Sequence, residues 1–280
     1  MTQASRAGVL TGLASFALGR GLSIRPSVTV GGARDSAGSP LRNGSHGSLD
    51  VTQRVGSNAL ASLTVNTDFA EAEVDTRQVN LTRFPLFFPE KRSFFLEGAD
   101  IFDFGLGLSG EVVPFFSRRV GIEGDVQVPI EAGLKVNGRT SGTSYGVLAV
   151  RTGDTDTLNT GTQLAALRVK RDVLGESSIG FIATVGDPTS RPGSWLVGPD
   201  LTYKTSRFRG DKNLLIGAWA LGAGRSELRG DRSAAGLRID CPNDLWDIAA
   251  SYKRIGESFD PSLGFVPRRG VHLVSGSVNW

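Results

Sequence analysis

Much of this chain alternates strictly between apolar and polar residues, and this period of two restricts the fold more than any other feature. In one such run, Leu134 and Val136 alternate with Lys135 and Asn137. Successive side chains of a β-strand point to opposite faces, so each run predicts a strand with one apolar face and one face of small or polar residues. The runs cover residues 48–55, 59–66, 130–138, 178–186, 197–205 and 245–253. No long stripe at helical spacing accompanies them, and the sequence therefore predicts an all-β fold.

The length of these runs indicates which kind of β fold to expect. Strands of water-soluble sandwiches usually have about 5–6 residues, whereas strands that cross a membrane have about 9–11. Glycine, at 37 of 280 residues, also fits, because it makes room where strands crowd or bend. We therefore predict an antiparallel transmembrane-type β-barrel of about twelve strands, from residues 22–30 to residues 271–280. The alternative is a long-stranded soluble barrel or a β-helix.

The connections between the runs alternate in length, which supports the same architecture. Outer-membrane barrels have short periplasmic turns and longer loops outside the cell, so all long links should lie at one end of the barrel. Short turns are predicted at residues 56–58, 138–142, 172–176, 208–211 and 242–243, and longer polar links at 152–161, 187–194, 222–232 and 254–270. The tryptophans lie near predicted strand ends and fit an aromatic belt at the membrane interface; they are Trp195, Trp219, Trp246 and Trp280.

Composition argues against several kinds of functional site. A single cysteine allows no internal disulfide and no cysteine-rich metal site. The two histidines, His46 and His272, are far apart in sequence and make a histidine metal site or a Ser-His-Asp triad a poor hypothesis. A net charge of +3 is no nucleic-acid footprint. We expect no cofactor, no nucleic-acid partner, and no assigned metal ligand or catalytic residue.

Residues 67–127 interrupt the alternation with a stretch rich in phenylalanine, proline and charge. A solvated loop of this length and composition would be unusual, so we predict an inserted, plug-like segment in or over the barrel lumen. It must add an even number of membrane crossings, zero included. We expect Phe87, Phe88, Phe94 and Phe95 to be buried against the inner wall, with nearby charges paired. The predicted structural cluster comprises Asn66, Asp68, Glu73, Asp75, Asn80, Glu90, Lys91, Arg92, Phe94, Phe95, Glu97, Arg118 and Arg119.

Other roles for the charged residues of this stretch have less support. Asp68, Glu71, Glu73 and Asp75 could offer oxygen ligands to a cation such as Ca²⁺, but they lack the glycine-punctuated spacing of a calcium loop. Ion pairing inside a lumen is the preferred interpretation. Two carboxylates such as Glu90 and Glu97 could act as a glycosidase pair, although any barrel lumen holds such groups. Arg118 and Arg119, if they lay on one strand, could not both point inward.

Three blocks of sequence resemble a known family. The run NTDFAEAEVDTRQVNLTRFPLFFPEKRSFFLEG at residues 66–98 is similar to the hallmark of a Gram-negative outer-membrane barrel family, domain of unknown function 5916. FFSRRVG at 115–121 and FDPSLGFVPR at 259–268 resemble later blocks of that family. The resemblance implies a barrel in the style of TonB-dependent receptors, surrounded by outer-membrane lipid.

The same resemblance implies a function and a domain organisation. Such a chain would be a surface, transport or anchoring component of the cell outer membrane. Family members usually carry a carbohydrate-binding family 9-like domain upstream, so a carbohydrate ligand, or an association with carbohydrate-active enzymes, is the alternative. They are also longer, and we therefore expect a lead-in at residues 1–21 and a partial barrel at residues 22–280.

Overall fold

The fold is a single large antiparallel sheet. The computed structural model describes residues 21–33, 42–67, 79–106, 108, 110–123, 126–154, 161–243 and 245–280. The strands are β1 Leu22–Ala33, β2 Arg42–Val55, β3 Ala59–Thr67, β4 Ile122–Glu123, β5 Val126–Gln127, β6 Ile130–Thr140, β7 Thr143–Thr152, β8 Gln163–Val173, β9 Ser177–Val185, β10 Trp195–Phe208, β11 Lys212–Gly224, β12 Ser233–Pro242, β13 Asp247–Ile255 and β14 Val271–Asn279. All except β4 and β5 join one sheet of twelve strands, which confirms the all-β prediction and its strand number.

The order of the strands in this sheet follows their order in the chain. Each strand pairs with its neighbours in sequence through antiparallel ladders, apart from the step from β3 to β6. The hairpins close through tight turns; at the turn between β6 and β7, Ser141 and Gly142 both have positive φ, as a two-residue type I′ turn requires. Within the described residues, β1 pairs only with β2 and β14 only with β13, so the sheet is open along these two edges.

Short and long connections lie at opposite ends of the strands, as the sequence predicted. The tight turns at 56–58, 141–142, 174–176 and 209–211 share one end, whereas the links 186–194, 225–232 and 256–270 share the other. The segment between β3 and β6 leaves and returns at this long-link end. In its described part it adds no strand to the large sheet, since β4 and β5 pair only with each other. The described part of the segment is therefore consistent with the zero case of the predicted even number.

Helical structure in the described chain is confined to short turns of the inserted segment. These are α1 at Ser93–Leu96 and 3₁₀ turns at Ala99–Phe102 and Ser117–Arg119. Arg118 and Arg119 therefore lie on a 3₁₀ turn, and the expectation based on strand alternation does not apply to them. No helix of the described chain is long and apolar enough to cross a membrane.

The two faces of the sheet are inverted relative to a water-soluble protein. On the outer face, large apolar side chains are exposed, among them Leu134 at 49% and Ile248 at 44%. On the inner face, charged side chains are buried; Lys135 is 2% exposed and Arg168 1%. Apart from the β-bulge between Ile130 and Ala132, which leaves Ile130 buried in the inner core, the alternating runs correctly predicted which residues share a face.

The apolar core lies between the inner face of the sheet and the inserted segment. One cluster packs Phe94 and Phe95 against wall residues such as Leu148. A second cluster joins Phe104 to wall residues that include Ile182. The sheet therefore needs the segment to cover its inner surface near the long links, where each fully buried large apolar side chain contributes roughly 1.5–3 kcal/mol.

The prediction of a tryptophan belt is wrong for Trp219. This side chain points inward from the middle of β11, is 5% exposed, and meets the ring of Phe104 with centroids 6.5 Å apart. It fits there because Gly236 on the neighbouring strand has no side chain; a Cβ at that position would lie 2.7 Å from the indole ring. Trp195, Trp246 and Trp280 do lie at strand ends.

The two faces of β9 provide a matched test of this core. Ile182 is fully buried against the inserted segment, whereas Ile179 on the same strand is exposed on the outer face. Replacing Ile182 by alanine should lower the free energy of unfolding by about 2–5 kcal/mol, because it leaves a cavity. Ile179→Ala should cost clearly less. Guanidinium unfolding of detergent-solubilised protein, followed by tryptophan fluorescence, measures both, and equal losses would contradict this location of the core.

Candidate functional site

The inserted segment is held to the sheet by charged side chains of the inner wall. The most buried of these is Arg168 on β8, whose guanidinium donates to both carboxylate oxygens of Asp200 on β10, at 2.5 and 2.8 Å. Its Nε donates to the carbonyl of Asp103, at 3.0 Å, and Asp200 also accepts from the backbone N–H of Gly105, at 3.2 Å. A bidentate ion pair of the wall thus binds the backbone of the segment at two points.

This pair spans three strands because the strand between them carries a glycine. Gly180 on β9 lies between Arg168 and Asp200, and a Cβ there would stand 2.4 Å from Asp200 Oδ1 and 2.5 Å from Arg168 Nη1. A glycine in the middle of a strand often marks such a close approach. Arg168 also stacks on the segment's Phe104, with its guanidinium carbon 5.2 Å from the ring centroid.

Two further wall lysines contact the same segment. Lys135 on β6 donates through Nζ to the backbone carbonyls of Phe94 and Glu97, at the end of the short helix α1. Lys253 on β13 pairs with Glu111. Cations from three separate regions of the wall therefore each bond to the inserted segment, although the charge of Arg168 is paired within the wall, by Asp200.

Inside the segment, a buried ion pair holds its turns together. Arg92 pairs with Glu90, at 2.6 Å, and donates to the carbonyls of Ser117 and Val120, at 2.8 and 2.6 Å. Ser117 Oγ donates to the same carboxylate, at 2.6 Å. Burial alone would raise the pKa of the Glu90 carboxyl, but the hydrogen bonds and charge of Arg92, with the hydrogen bond from Ser117, hold the pKa below its usual 4.5.

A second polar cluster fixes the long links to one another. Asp187 follows β9 and accepts hydrogen bonds from Thr189, from Ser262 of the distant β13–β14 link, and from Arg191. Burial would raise the pKa of the Asp187 carboxyl, but the hydrogen bonds from Ser262 and Thr189, and the nearby Arg191, lower it below 3.8. The cluster keeps two long links in contact above the inner face.

The predicted cluster residues occupy different places in the structure. Asn66, with positive φ, donates to the carbonyl of Gly47 at 2.6 Å, and Asn80 caps a local turn by donating to the carbonyl of Phe84 at 2.8 Å. Glu97 accepts from Ser62 of β3, at 3.4 Å. Asp68, Glu73 and Asp75 lie outside the described residues.

Two of the four phenylalanines that were predicted to be buried, Phe87 and Phe88, are not fully buried. Phe94 and Phe95 are buried, and Phe88 is half-buried. Phe87 is 46% exposed, contrary to the prediction, because it packs on the surface of the segment rather than against the wall. Lys91 is also half-buried. Arg118 donates to the carbonyl of Pro89, at 3.2 Å, and Arg119 to that of Gly264, at 3.5 Å.

The residues that the sequence interpretation missed are the wall cations and Asp200. Three of them appeared only as polar members of an alternation, namely Lys135, Asp200 and Lys253, and Arg168 was not distinguished at all. A signal was present, because a full charge in the middle of a long strand needs a partner if that face of the strand is buried. The partner itself could not be read from the sequence.

In the described part of the chain, these contacts attach the inserted segment to the sheet. Glu90 is engaged by Arg92 and held ionised, which makes it unsuitable as the protonated acid of a glycosidase pair. No group of three or more His, Cys, Asp or Glu in the described chain could hold a metal ion. The protein therefore belongs to the class of open antiparallel sheets. An inserted segment covers the inner face of its sheet.

Comparison with known proteins found a similarity over part of the chain. Residues 46–141 match the profile of a family described as a domain of unknown function (DUF5916). The match runs from β2 into the turn after β6 and contains the whole described part of the inserted segment. It covers two of the three blocks noted in the sequence. No curated protein matched the chain, and no solved structure did.

Breaking the wall ion pair should be costly. Asp200→Asn leaves the guanidinium of Arg168 buried without its carboxylate, and should lower the free energy of unfolding by about 3–5 kcal/mol. The double variant Arg168→Met/Asp200→Leu should be less damaging, because neither charge remains. The exposed pair of Arg151 and Glu131 is the control, and Arg151→Met should cost less than about 1 kcal/mol. Similar losses for Asp200→Asn and Arg151→Met in denaturant unfolding would refute this role.

Acid should loosen the inserted segment through Glu90. The pKa of this carboxyl is lower in the folded protein than its unfolded value of 4.5, so its contribution is present above that pH and is lost as the pH falls through the folded pKa. Glu90→Gln should therefore be less stable than wild type at pH 7, with a shallower loss of stability below pH 4.5. Unfolding midpoints between pH 7 and pH 3 measure this. The exposed Glu131→Gln is the control, and parallel acid profiles for Glu90→Gln and wild type would contradict the assignment.

Proposed function

We propose that this sheet forms part of the wall of an outer-membrane β-barrel and that the inserted segment occupies the lumen of that barrel. The observation that carries the proposal is the inversion of the two faces. A soluble protein of this size would bury its large apolar side chains and expose its charges. Here the charges of the inner face are buried and the apolar residues of the outer face are exposed.

The outer face supports a lipid surrounding because large apolar side chains are exposed on most of its strands. Soluble monomers rarely expose apolar patches larger than a few hundred Å². The exposed apolar side chains of the central strands include Leu134, Val147, Leu167, Ile179, Phe181, Val197, Leu201, Leu237, Ile239 and Ile248. They occupy alternate positions of β6 to β10 and of β12 and β13, so together they belong to one face rather than to scattered sites.

Strand length and connection length agree with the same proposal. The wall strands have 9–14 residues, enough to cross a hydrocarbon core at a tilt. By analogy with bacterial barrels, the long links would face outward and the tight turns the periplasm. Because unpaired backbone groups are costly in lipid, the proposal also requires that the edges of β1 and β14 find partners in the membrane.

The filled inner face favours an anchoring role or gated transport over an open pore. Buried contacts of Lys135, Arg168 and Lys253 hold the segment in place. We therefore expect protein reconstituted in a planar bilayer to show no steady large conductance while the segment is in place. A carbohydrate-associated role gains no support from the geometry.

Substitutions on the outer face distinguish lipid from water as its surrounding. Leu134 and Ile248 are both exposed, so a charge there would be nearly harmless in water. In a membrane, Leu134→Arg should oppose folding by about 2–4 kcal/mol near the midplane, and Ile248→Asp by less. Urea unfolding in lipid vesicles and heat-modifiable gel mobility measure the loss.

The control must lie on the other face and be exposed. Lys135, which the alternation alone would suggest, is unsuitable because it is buried and bonded. Ser277 on β14 is exposed on the inner-face side, and Ser277→Arg should be mild. If Leu134→Arg and Ser277→Arg fold into vesicles equally well, the membrane proposal fails.

A further inference from the structure

A cavity of about 360 Å³ lies between the inserted segment and the β13–β14 link. Its walls come from residues 85–88 and 116–122 on one side and residues 260–269 on the other. Both sides pack toward the inner face, since Val120 and Leu263 share one buried cluster with wall residues. The volume is within the range of sites for small molecules, about 300–1,000 Å³.

The walls of this cavity are held in place by backbone and aromatic contacts. The N–H of Phe116 donates to the carbonyl of Leu263, at 2.7 Å, and Val113 and Phe265 exchange backbone hydrogen bonds of 2.9 and 2.8 Å. The ring of Phe116 lies 5.4 Å from that of Phe265, and Phe87 lies 5.2 Å from Phe116. A ligand would therefore meet a preformed site, which lowers the entropy lost on binding.

The described residues that line this cavity carry a net positive charge. Arg118, Arg119 and Arg269 line the cavity, and the only acidic residue among the described lining residues is Asp260. That carboxylate is already contacted by Arg225, at 2.6 Å, and by Arg269, at 3.3 Å. The guanidinium group is planar and matches carboxylate and phosphate oxygens in a bidentate geometry.

The remaining lining is aromatic and aliphatic. Phe88, Phe116 and Phe265 provide ring faces and edges, and Leu86 and Val266 provide aliphatic surface. The described lining contains no Asn, Gln, Ser, Thr, Tyr, Trp or His. A neutral sugar needs partners for many hydroxyl groups, and unpaired hydroxyls would be penalised.

We propose that this cavity binds a small, water-soluble molecule with an aromatic body and one phosphate or carboxylate group. The anion would lie against the guanidinium groups of Arg118 and Arg119, and the ring would pack among the phenylalanines. This inference goes beyond the barrel proposal and does not depend on where the protein resides.

The test uses 4-fluorophenyl phosphate as the probe and the full chain in non-ionic detergent. Fluorine NMR should show a saturable change in line width and shift that detergent alone does not give. The double variant Arg118→Gln/Arg119→Gln should weaken the dissociation constant by about ten-fold or more, because hydrogen bonds to the anion are lost. Neutral 4-fluorobenzyl alcohol should bind far more weakly than the phosphate.

A matched control removes the same charge outside the cavity. Arg83 and Arg268 both stack on Phe84, and Arg83→Gln/Arg268→Gln should bind the probe like wild type. If the Arg118/Arg119 variant fails to fold by circular dichroism, Leu86→Trp decides, since it fills the cavity without changing charge and should abolish binding.

Three results would overturn the proposal. They are the absence of saturable binding, full binding by the Leu86→Trp variant, and equal weakening in the two arginine variants, which would mean non-specific attraction. Insertion into vesicles is measured separately, so a protein that inserts but does not bind the probe refutes the cavity alone. One that binds without inserting refutes the membrane proposal alone.

Discussion

The buried cations of the inner wall are the interaction on which the rest of the structure depends. Lys135, Arg168 and Lys253 project from separate strands into a space that is closed to solvent. A buried charge is tolerated only when it is paired and hydrogen-bonded. Each of the three finds its partners, wholly or in part, on the inserted segment, and the segment in turn shields them from water. Wall and segment are therefore stable together, and the polar inner face requires the segment.

This dependence explains why the hydrophobic core has an unusual position. In a sandwich the core lies between two sheets, but here it lies between one sheet and an irregular stretch of chain. Phe94, Phe95 and Phe104 supply its apolar surface from the segment side. The outer face of the sheet contributes nothing to this core. Its large apolar side chains are not covered by the described residues.

The same packing creates the cavity beside the β13–β14 link. Backbone hydrogen bonds between Val113 and Phe265, and from Phe116 to Leu263, hold two distant stretches of chain together beside the cavity. Arginines that would be solvated on a free loop are thereby gathered around a preformed space. Binding capacity at this end of the sheet would thus follow from how the segment is anchored, and not from any single motif.

The sequence by itself determined the number of strands, which residues share a face in most of the alternating runs, and the alternation of short and long links, because a period of two and the turn residues are local properties of the chain. It also indicated burial of Phe94 and Phe95. It did not determine that Trp219 points inward, that Phe87 is exposed, or that Arg118 and Arg119 lie on a 3₁₀ turn. Nor did it show that Arg168 reaches Asp200 across Gly180. Those outcomes were decided only in the tertiary structure, because they depend on which distant residue fills the space opposite each side chain.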